Sequence, residues 1–349
     1  MKASLAKTMA AKTMPTKAMA SAAEVAKLAG VSRSAVSRTF TPGASVSEQT
    51  REKVLAAAKT LNYHVNHLAR SLSKDSSRPV CILGANLNAP FQASLLDILT
   101  QNLQRAGKAV MVINTAGGRE STNESLSQTL NYRAFATIVL SGTPDNEYVQ
   151  TCIDSGQHVI LINRGDQFAG ADHFVIDYES IMADAHYLFS EAGCRQLAVI
   201  SSTNQSPSLL ARERFFIQAA EQHQHSCTLL RVGPTAYQTG VEAARQLLSG
   251  RKRPDGVFCV TDLIACGFMD VARQEFALTI PDDICVIGFD DIEQASWHSY
   301  QLTTFKQPLE EMAQAIVKRL IWLAEETPPP ETYTFSARAQ WRKSVRPRP

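Results

Sequence analysis

Apolar positions along the chain follow two different rhythms, one before residue 62 and one after residue 79. In the first stretch they recur at helical spacing in short bursts. Ser21 stands three residues before Glu24 and ahead of Val25, Leu28 and Ala29, the pattern of a capping box that opens a helix. Gly30 suits the left-handed residue that closes one. Ser32 caps a second helix running to about residue 40, with Val31, Ala35 and Val36 turned inward. The break Thr41-Pro42-Gly43 follows. Ser47 then caps a third helix, from 48 to about 61, with Val54, Leu55 and Ala58 on one face. Two short helices joined by a Gly-containing turn predict a helix-turn-helix.

The second stretch alternates apolar runs of strand length with longer amphipathic segments. Strands are predicted at 80–85, 110–114, 137–140, 159–163, 174–177, 197–201, 229–232, 257–261 and 284–289. Helices are predicted at 95–105, 181–191, 211–222, 236–248 and 262–276. This alternation is the signature of βαβ units and parallel sheets. Nine strands exceed one compact subdomain of this kind, so two are expected. The fold class is thus an all-α helix-turn-helix head, followed by an α/β core of two doubly wound parallel-sheet subdomains.

Charge separates the same two regions. Net charge is only +2, yet residues 1–78 hold 13 Lys/Arg against 4 Asp/Glu, whereas 79–337 are strongly acidic. A basic head on an acidic body suits a polyanionic partner; a solvated basic face reads equally well from charge alone. The predicted second helix exposes Ser32, Arg33, Ser34, Ser37 and Arg38. Arginine makes bidentate contacts with guanine in the major groove, and small hydroxyls at a helix start suit phosphates. A helical hairpin with surface arginines is the alternative. Residues 1–20 carry a lysine every five positions and no continuous apolar core, so they are not a secretory signal. They read as a disordered basic arm or as an over-long start. Seven scattered cysteines with no C-x-x-C suit reduced core thiols in the cytosol. No apolar run is long enough for a membrane span.

The string EVAKLAGVSRSAVSRTF, continuing through SVSEQTREKVLAAAKTLNY to ARSL, resembles the DNA-binding head of Lac repressor-family transcription regulators without a gap from Ser21 to Leu72. The segments ILGANLNAPF, VILINR, HFVIDY, RPDGVFCVTDLIACGFM, IPDDICVIGFDDI and LTTFKQPLEEMAQAIVKRL resemble that family's effector-binding core, which is similar to a periplasmic binding protein. The resemblance implies a disordered arm at 1–20, a DNA-binding domain at 21–64, and a hinge helix and linker at 65–78. It implies a core at 79–337: one subdomain at about 79–177 and 305–332, the other at about 178–304 and 333–340, with crossings near Tyr178, Thr304 and Tyr333. A basic tail, 341–349, closes the chain. Base edges would be read by Arg33, Ser34 and Arg38. In the hinge, Asn66, Ala69 and Leu72 would lie in the minor groove, Leu72 as a wedge between base steps. A linker with Leu68 and Leu72 packed on the head is the bland alternative. Val65 stands where proline is usual.

Parallel sheets bind ligands outside the carboxyl ends of their strands. Residues there that match the family's effector contacts are Phe91, Gln92, Asp177, Arg212, Thr261 and Asp290. Phe215, Thr261 and Gln92 depart from the usual small residue, asparagine and aromatic. One guanidinium with two carboxylates suits a polyhydroxylated ligand: sugar or sugar acid first, then sugar phosphate, then nucleobase. Asp262 reads as a helix cap. No phosphate loop, dinucleotide fingerprint, zinc-protease or esterase motif is present, so no enzyme, cofactor or metal is expected, although His223, His225 and Cys227 lie close in sequence. The expectation is a cytoplasmic, homodimeric repressor that binds a near-palindromic double-stranded operator under control of a small effector. A sugar-binding protein with an architectural or vestigial head is the alternative.

Overall fold

The computed structural model describes residues 19–41, 43–64, 78–115, 129–140, 146–164, 168–204 and 206–347. The arm at 1–18 and the hinge residues Asn66, Ala69 and Leu72 lie outside them. The chain divides into two compact units, residues 1–73 and 74–349.

The head is built by its caps. Helix α1 (Ala22–Ala29) opens on the reciprocal capping box: Glu24 Oε2 accepts from Ser21 N at 2.7 Å and Ser21 Oγ accepts from Glu24 N at 3.3 Å. It closes on Gly30 at φ 65°. Ser32 and Ser47 likewise cap α2 (Arg33–Thr39) and α3 (Glu48–Thr60). Val25, Ala26, Val36, Val54, Ala57 and Ala58 form the core, with Phe40 and Tyr63 packed on it. The apolar faces differ from expectation in two places. Leu28 is 53% exposed and Leu55 47% exposed. Each sits one helical position off the stripe that Val25 and Val54 bury, and a core this small has no second layer to cover them.

In the second unit the described strands form two parallel sheets and one antiparallel pair. The first sheet takes β1 (Val80–Gly84), β2 (Val110–Asn114), β3 (Ala136–Val139), β4 (His158–Ile162) and β5 (Ala171–Ile176). Helices α4 (Pro90–Arg105) and α5 (Asn146–Asp154) connect them. The second sheet takes β6 (Gln196–Ser201), β7 (Ser226–Arg231), β8 (Gly256–Cys259) and β9 (Cys285–Ile287), in the order β7-β6-β8-β9. Its helices are α6 (Tyr178–Glu191), α7 (Pro207–Gln222), α8 (Tyr237–Leu248) and α9 (Asp262–Gln274). Central strands such as β1 and β8 are buried along their whole length, as parallel strands covered on both faces must be. Helices α8 and α9 touch backbone to backbone. A Cβ on Gly240 would lie 2.0 Å from Ile264 O, and one on Gly267 2.1 Å from Tyr237 O.

Three late elements tie the sheets together: β10 (Thr304–Lys306), α10 (Leu309–Glu325) and β11 (Thr332–Phe335), followed by β12 (Arg338–Gln340). Strand β11 pairs with β5 and completes the first sheet as β11-β5-β4-β3-β1-β2, whereas β12 pairs antiparallel with β10. The last crossing therefore comes after Phe335, not near Tyr333, because the ladder to β5 holds Tyr333 on the first sheet. Buried Arg319 of α10 bonds Asp172 of β5 and fastens that helix to the sheet.

The basic tail is also reassigned. Arg342 pairs with Asp291 at 2.6 Å and bonds Leu302 O at 2.8 Å. Ser344 is fully buried between Val286 O and Thr303 N. Arg346 donates to Ala192 O, Pro281 O and Asp282 O. Residues 342–346 are a strap across the second sheet; their charges meet carbonyls and a carboxylate that sequence adjacency does not reveal.

Candidate effector cleft and DNA-reading helix

Helix α2 presents the predicted DNA-reading side chains to solvent. Ser32, Arg33, Ser34, Ser37 and Arg38 are all exposed, while Val36 between them anchors the helix in the head core. Ser32 Oγ caps the helix and lies 2.8 Å from Ser34 Oγ. Arg51 Nη1 donates to Thr39 O at 3.2 Å, tying the end of α2 to α3.

In the second unit the centre of the candidate site is a buried ion pair. Arg212, on α7, is 3% exposed; its Nη2 lies 3.2 Å from Asp290 Oδ1 and its Nη1 donates to Val260 O at 2.7 Å. The guanidinium stacks 3.8 Å over the Phe289 ring and 5.4 Å from that of Tyr178. Burial pushes the Asp290 carboxyl up to about 6, against the pull of Arg212 and Gln307. Burial also works against the Arg212 charge, and Asp290, Tyr178 and Asp262 together more than restore it. Asp290 adopts φ 118°, a conformation that an L-residue holds only where its surroundings over-determine it.

The pair is one end of a polar relay. Gln307 Nε2 donates to Asp290 Oδ1 at 2.9 Å, and Asn163 Nδ2 donates to Gln307 Oε1 at 3.0 Å. Asn163 follows β4 of the first sheet, Gln307 follows the crossing strand β10, and Asp290 follows β9 of the second. Beside the relay opens a cleft of about 450 Å³, lined by Phe91, Ser94 and Ile98 of α4, by Asp290 to Ile292, and by Lys306 to Leu309.

Of the six predicted effector residues, Phe91 and Asp290 line this cleft and Arg212 stands behind Asp290. Gln92, Asp177 and Thr261 do not line it. Asp177 caps α6, accepting from Ser180 N at 3.3 Å. Thr261 holds the N-cap position of α9 with its hydroxyl unbonded. Arg212 Nε, Thr261 Oγ1 and Gln92 Oε1 are buried polar atoms without a hydrogen-bond partner, and such atoms are costly unless a bound group completes them. Asp262 is not a cap. It is wholly buried, accepts from Thr304 Oγ1 at 2.6 Å and from Ile292 N at 2.9 Å, and is raised by burial to about 7. It ties α9 to the crossing strand. Asp290 and Asp291, adjacent in sequence, turn to different partners, Arg212 and Arg342. Sequence reasoning missed Asn163, Gln307, Tyr178 and Phe289. Asn163 was open to the strand-end rule and Gln307 lay within a quoted segment, but only tertiary contact joins them.

Residues 22–66 are matched by the family model for bacterial regulatory proteins of the lacI family, and residues 187–345 by that for a periplasmic binding protein-like domain. The chain thus carries a LacI-type helix-turn-helix domain and a periplasmic-binding-protein-like domain. It is similar to the HTH-type transcriptional repressor PurR of Klebsiella pneumoniae, with 28% identity over 85% of this chain and 88% of that protein. It is also similar to the ribose operon repressor of Escherichia coli, with 29% identity over 85% and 91%. The crystal structure of the Lac repressor dimer bound to operator and the anti-inducer ONPF superposes with a TM-score of 0.83 at 24% identity, covering 93% of this chain and 99% of that one. The protein is accordingly a DNA-binding transcriptional regulator with an effector-type core. No helix among its described residues is long and apolar enough to cross a membrane.

Proposed function

We propose that this chain is a cytoplasmic homodimeric repressor whose operator affinity is set by a neutral polyhydroxylated effector, a sugar in preference to a sugar acid, sugar phosphate or nucleobase. The observation that carries the effector class is the Arg212–Asp290 pair. Its guanidinium already meets a carboxylate, a carbonyl and an aromatic face, so an incoming anion would add a second negative charge to one buried cation. Hydroxyl groups, which both donate and accept, fit the polar groups that line the cleft, Ser94, Asp290, Asp291 and Gln307.

On the DNA side, Arg33, Ser34 and Arg38 read base edges while Ser32 and Ser37 position the helix on phosphates. Two heads in a dimer require half-sites about one helical turn apart. Asn66, Ala69 and Leu72 complete the minor-groove contacts. The relay from Asn163 through Gln307 to Asp290 links both sheets at the cleft, so an effector that rearranges it shifts the balance between two arrangements of the core. Coupling is then reciprocal: effector weakens operator binding by the factor that operator weakens effector binding.

The test is thermal unfolding of the full chain with neutral sugars, sugar acids, sugar phosphates and nucleobases. A ligand at a hundred times its dissociation constant stabilises by about 2.7 kcal/mol. A neutral sugar should stabilise the protein and release operator DNA. Stabilisation by anionic compounds alone would overturn the effector class.

A further inference from the structure

Helix α2, from Arg33 to Thr39, contains no Asp, Glu, Asn or Gln. Arg33 and Arg38 can only donate hydrogen bonds. Among the side chains of α2, therefore, only a hydroxyl could accept from an amino group on a base edge. Thr39 is buried and donates to Ala35 O at 2.9 Å, which leaves the exposed Ser34 and Ser37.

Ser34 does not act alone. Its Oγ lies 2.8 Å from Ser32 Oγ, and Ser32 Oγ also accepts the Ala35 N–H at 3.2 Å. The bond between the two hydroxyls has two possible directions. If Ser34 donates, the Ser32 oxygen receives two protons and its own proton turns away from the helix. If Ser32 donates, the bonds run one way, from Ala35 N–H through Ser32 O–H to Ser34 Oγ, and each polarises the next. The second arrangement is the stronger, and it leaves the Ser34 proton as the outward group.

We propose that Ser32 is a positioning residue for DNA reading: it fixes Ser34 as a hydrogen-bond donor, so that Ser34 takes an acceptor edge of a base, guanine first, and refuses the amino group of cytosine. This rests on the reading of α2 as the helix that meets base edges. In the major groove guanine offers O6 and N7, thymine offers O4, and adenine sets N7 beside an amino group, whereas cytosine presents its amino group. A donor facing the cytosine amino group leaves both groups unpaired, which is the costly outcome. With Arg33 and Arg38 donating as well, the half-site should present guanine and thymine edges to α2 in preference to cytosine. The Ser32 proton is spent on Ser34, so contact between Ser32 and phosphate falls to its backbone N–H.

The test is selection by the full chain from a random library of palindromic DNA duplexes at fixed salt, with sequencing of the bound fraction. Wild-type protein should deplete cytosine about tenfold against guanine at one position of the half-site. Ser34→Ala should level that position and leave the others. Ser32→Asp then separates the two ideas. Aspartate caps a helix as well as serine does but has no proton to give, so Ser34 must donate to it and turn lone pairs to the DNA. Preference at the same position should move to cytosine or adenine, whatever overall affinity the added charge removes. Ser32→Asn keeps an N–H donor and should keep the wild-type preference. If Ser34→Ala alters no position, Ser34 does not read a base and the proposal falls with that reading. If Ser34→Ala levels one position but Ser32→Asp still prefers guanine there, the reading stands and the proposal alone is overturned. Circular dichroism checks that the cap variants fold. Should Ser32→Asp not fold, Ser32→Ala decides in its place: it frees the Ser34 hydroxyl to turn, so discrimination against cytosine should largely disappear, and its full retention would overturn the proposal.

Discussion

Arg212 and Asp290 compensate one another in a place where neither charge can reach bulk water, so each is stable only while the other remains. Breaking such a pair from one side leaves an uncompensated buried charge, at a cost of about 3–5 kcal/mol. Arg212→Ala is therefore expected to lower the unfolding free energy by that order, read by urea denaturation, and to abolish the effector response while operator binding persists below the melting point. A retained response would place the ligand elsewhere. His186 carries a second residue-scale expectation. It is almost fully buried, its Nε2 lies 2.9 Å from His225 Nδ1, and its ring is 4.7 Å from that of His223; burial and these neighbours push it down to about 4. A His pKa depressed in the folded state means that the unfolded chain binds more protons in this range. Stability is then complete above about 6.5 and is lost as pH falls toward about 4, by at most about 3 kcal/mol. Asp262 and Asp290, whose folded pKa values are raised, act with the opposite sign over much of that window. The wild-type curve alone would hide the effect; its difference from His186→Gln isolates it. Wild type should lose relative stability on acidification, and a pH-independent difference would remove the assignment.

At the scale of elements, the head and the α8–α9 layer are set by different physics. Helix α2 needs only local signals: Ser32 as cap, Val36 as anchor, and a polar remainder. Arg38→Ala should leave the head folded and cost about 1–3 kcal/mol of discrimination at one base pair. Operator variants compared in binding assays measure it, and equal losses on every sequence would reduce Arg38 to a phosphate contact. The α8–α9 contact needs the absence of side chains. Gly240→Ala places a methyl group on Ile264 O, and overpacking of this kind costs about 1–3 kcal/mol or more. Gly250→Ala, whose nearest neighbour atom is 3.5 Å away, should be close to neutral. Similar denaturation midpoints for the two variants would mean that the helices separate easily.

At the scale of the molecule, the relay joins the two sheets within one compact unit. Asn163, Gln307 and Asp290 are 144 and 17 residues apart along the chain yet consecutive in hydrogen bonding. Gln307→Ala removes the shared link without removing the ion pair. It should weaken the coupling between effector and operator, measured at saturating ligand as the ratio of operator affinities with and without it. An unchanged ratio would assign transmission to other contacts.

What the sequence by itself determined is whatever short-range rules decide. Capping serines, Gly30 and the period of apolar residues placed the three head helices to within a residue or two, because each depends on neighbours three or four positions away. The nine apolar runs foretold nine parallel strands; central ones such as β1 and β8, covered on both faces, must be apolar throughout. The exposure of Ser32, Arg33, Ser34, Ser37 and Arg38 was legible for the same reason, as polar residues on a short helix whose opposite face is buried. What only the tertiary structure decided is every property that depends on which distant groups meet. The exposure of Leu28 and Leu55, the place of β11 in the first sheet, the turning of Asp290 and Asp291 to different arginines, and the strap made from a basic tail are all of this kind. A charge acquires its role from its partner, and these partners lie tens to hundreds of residues away.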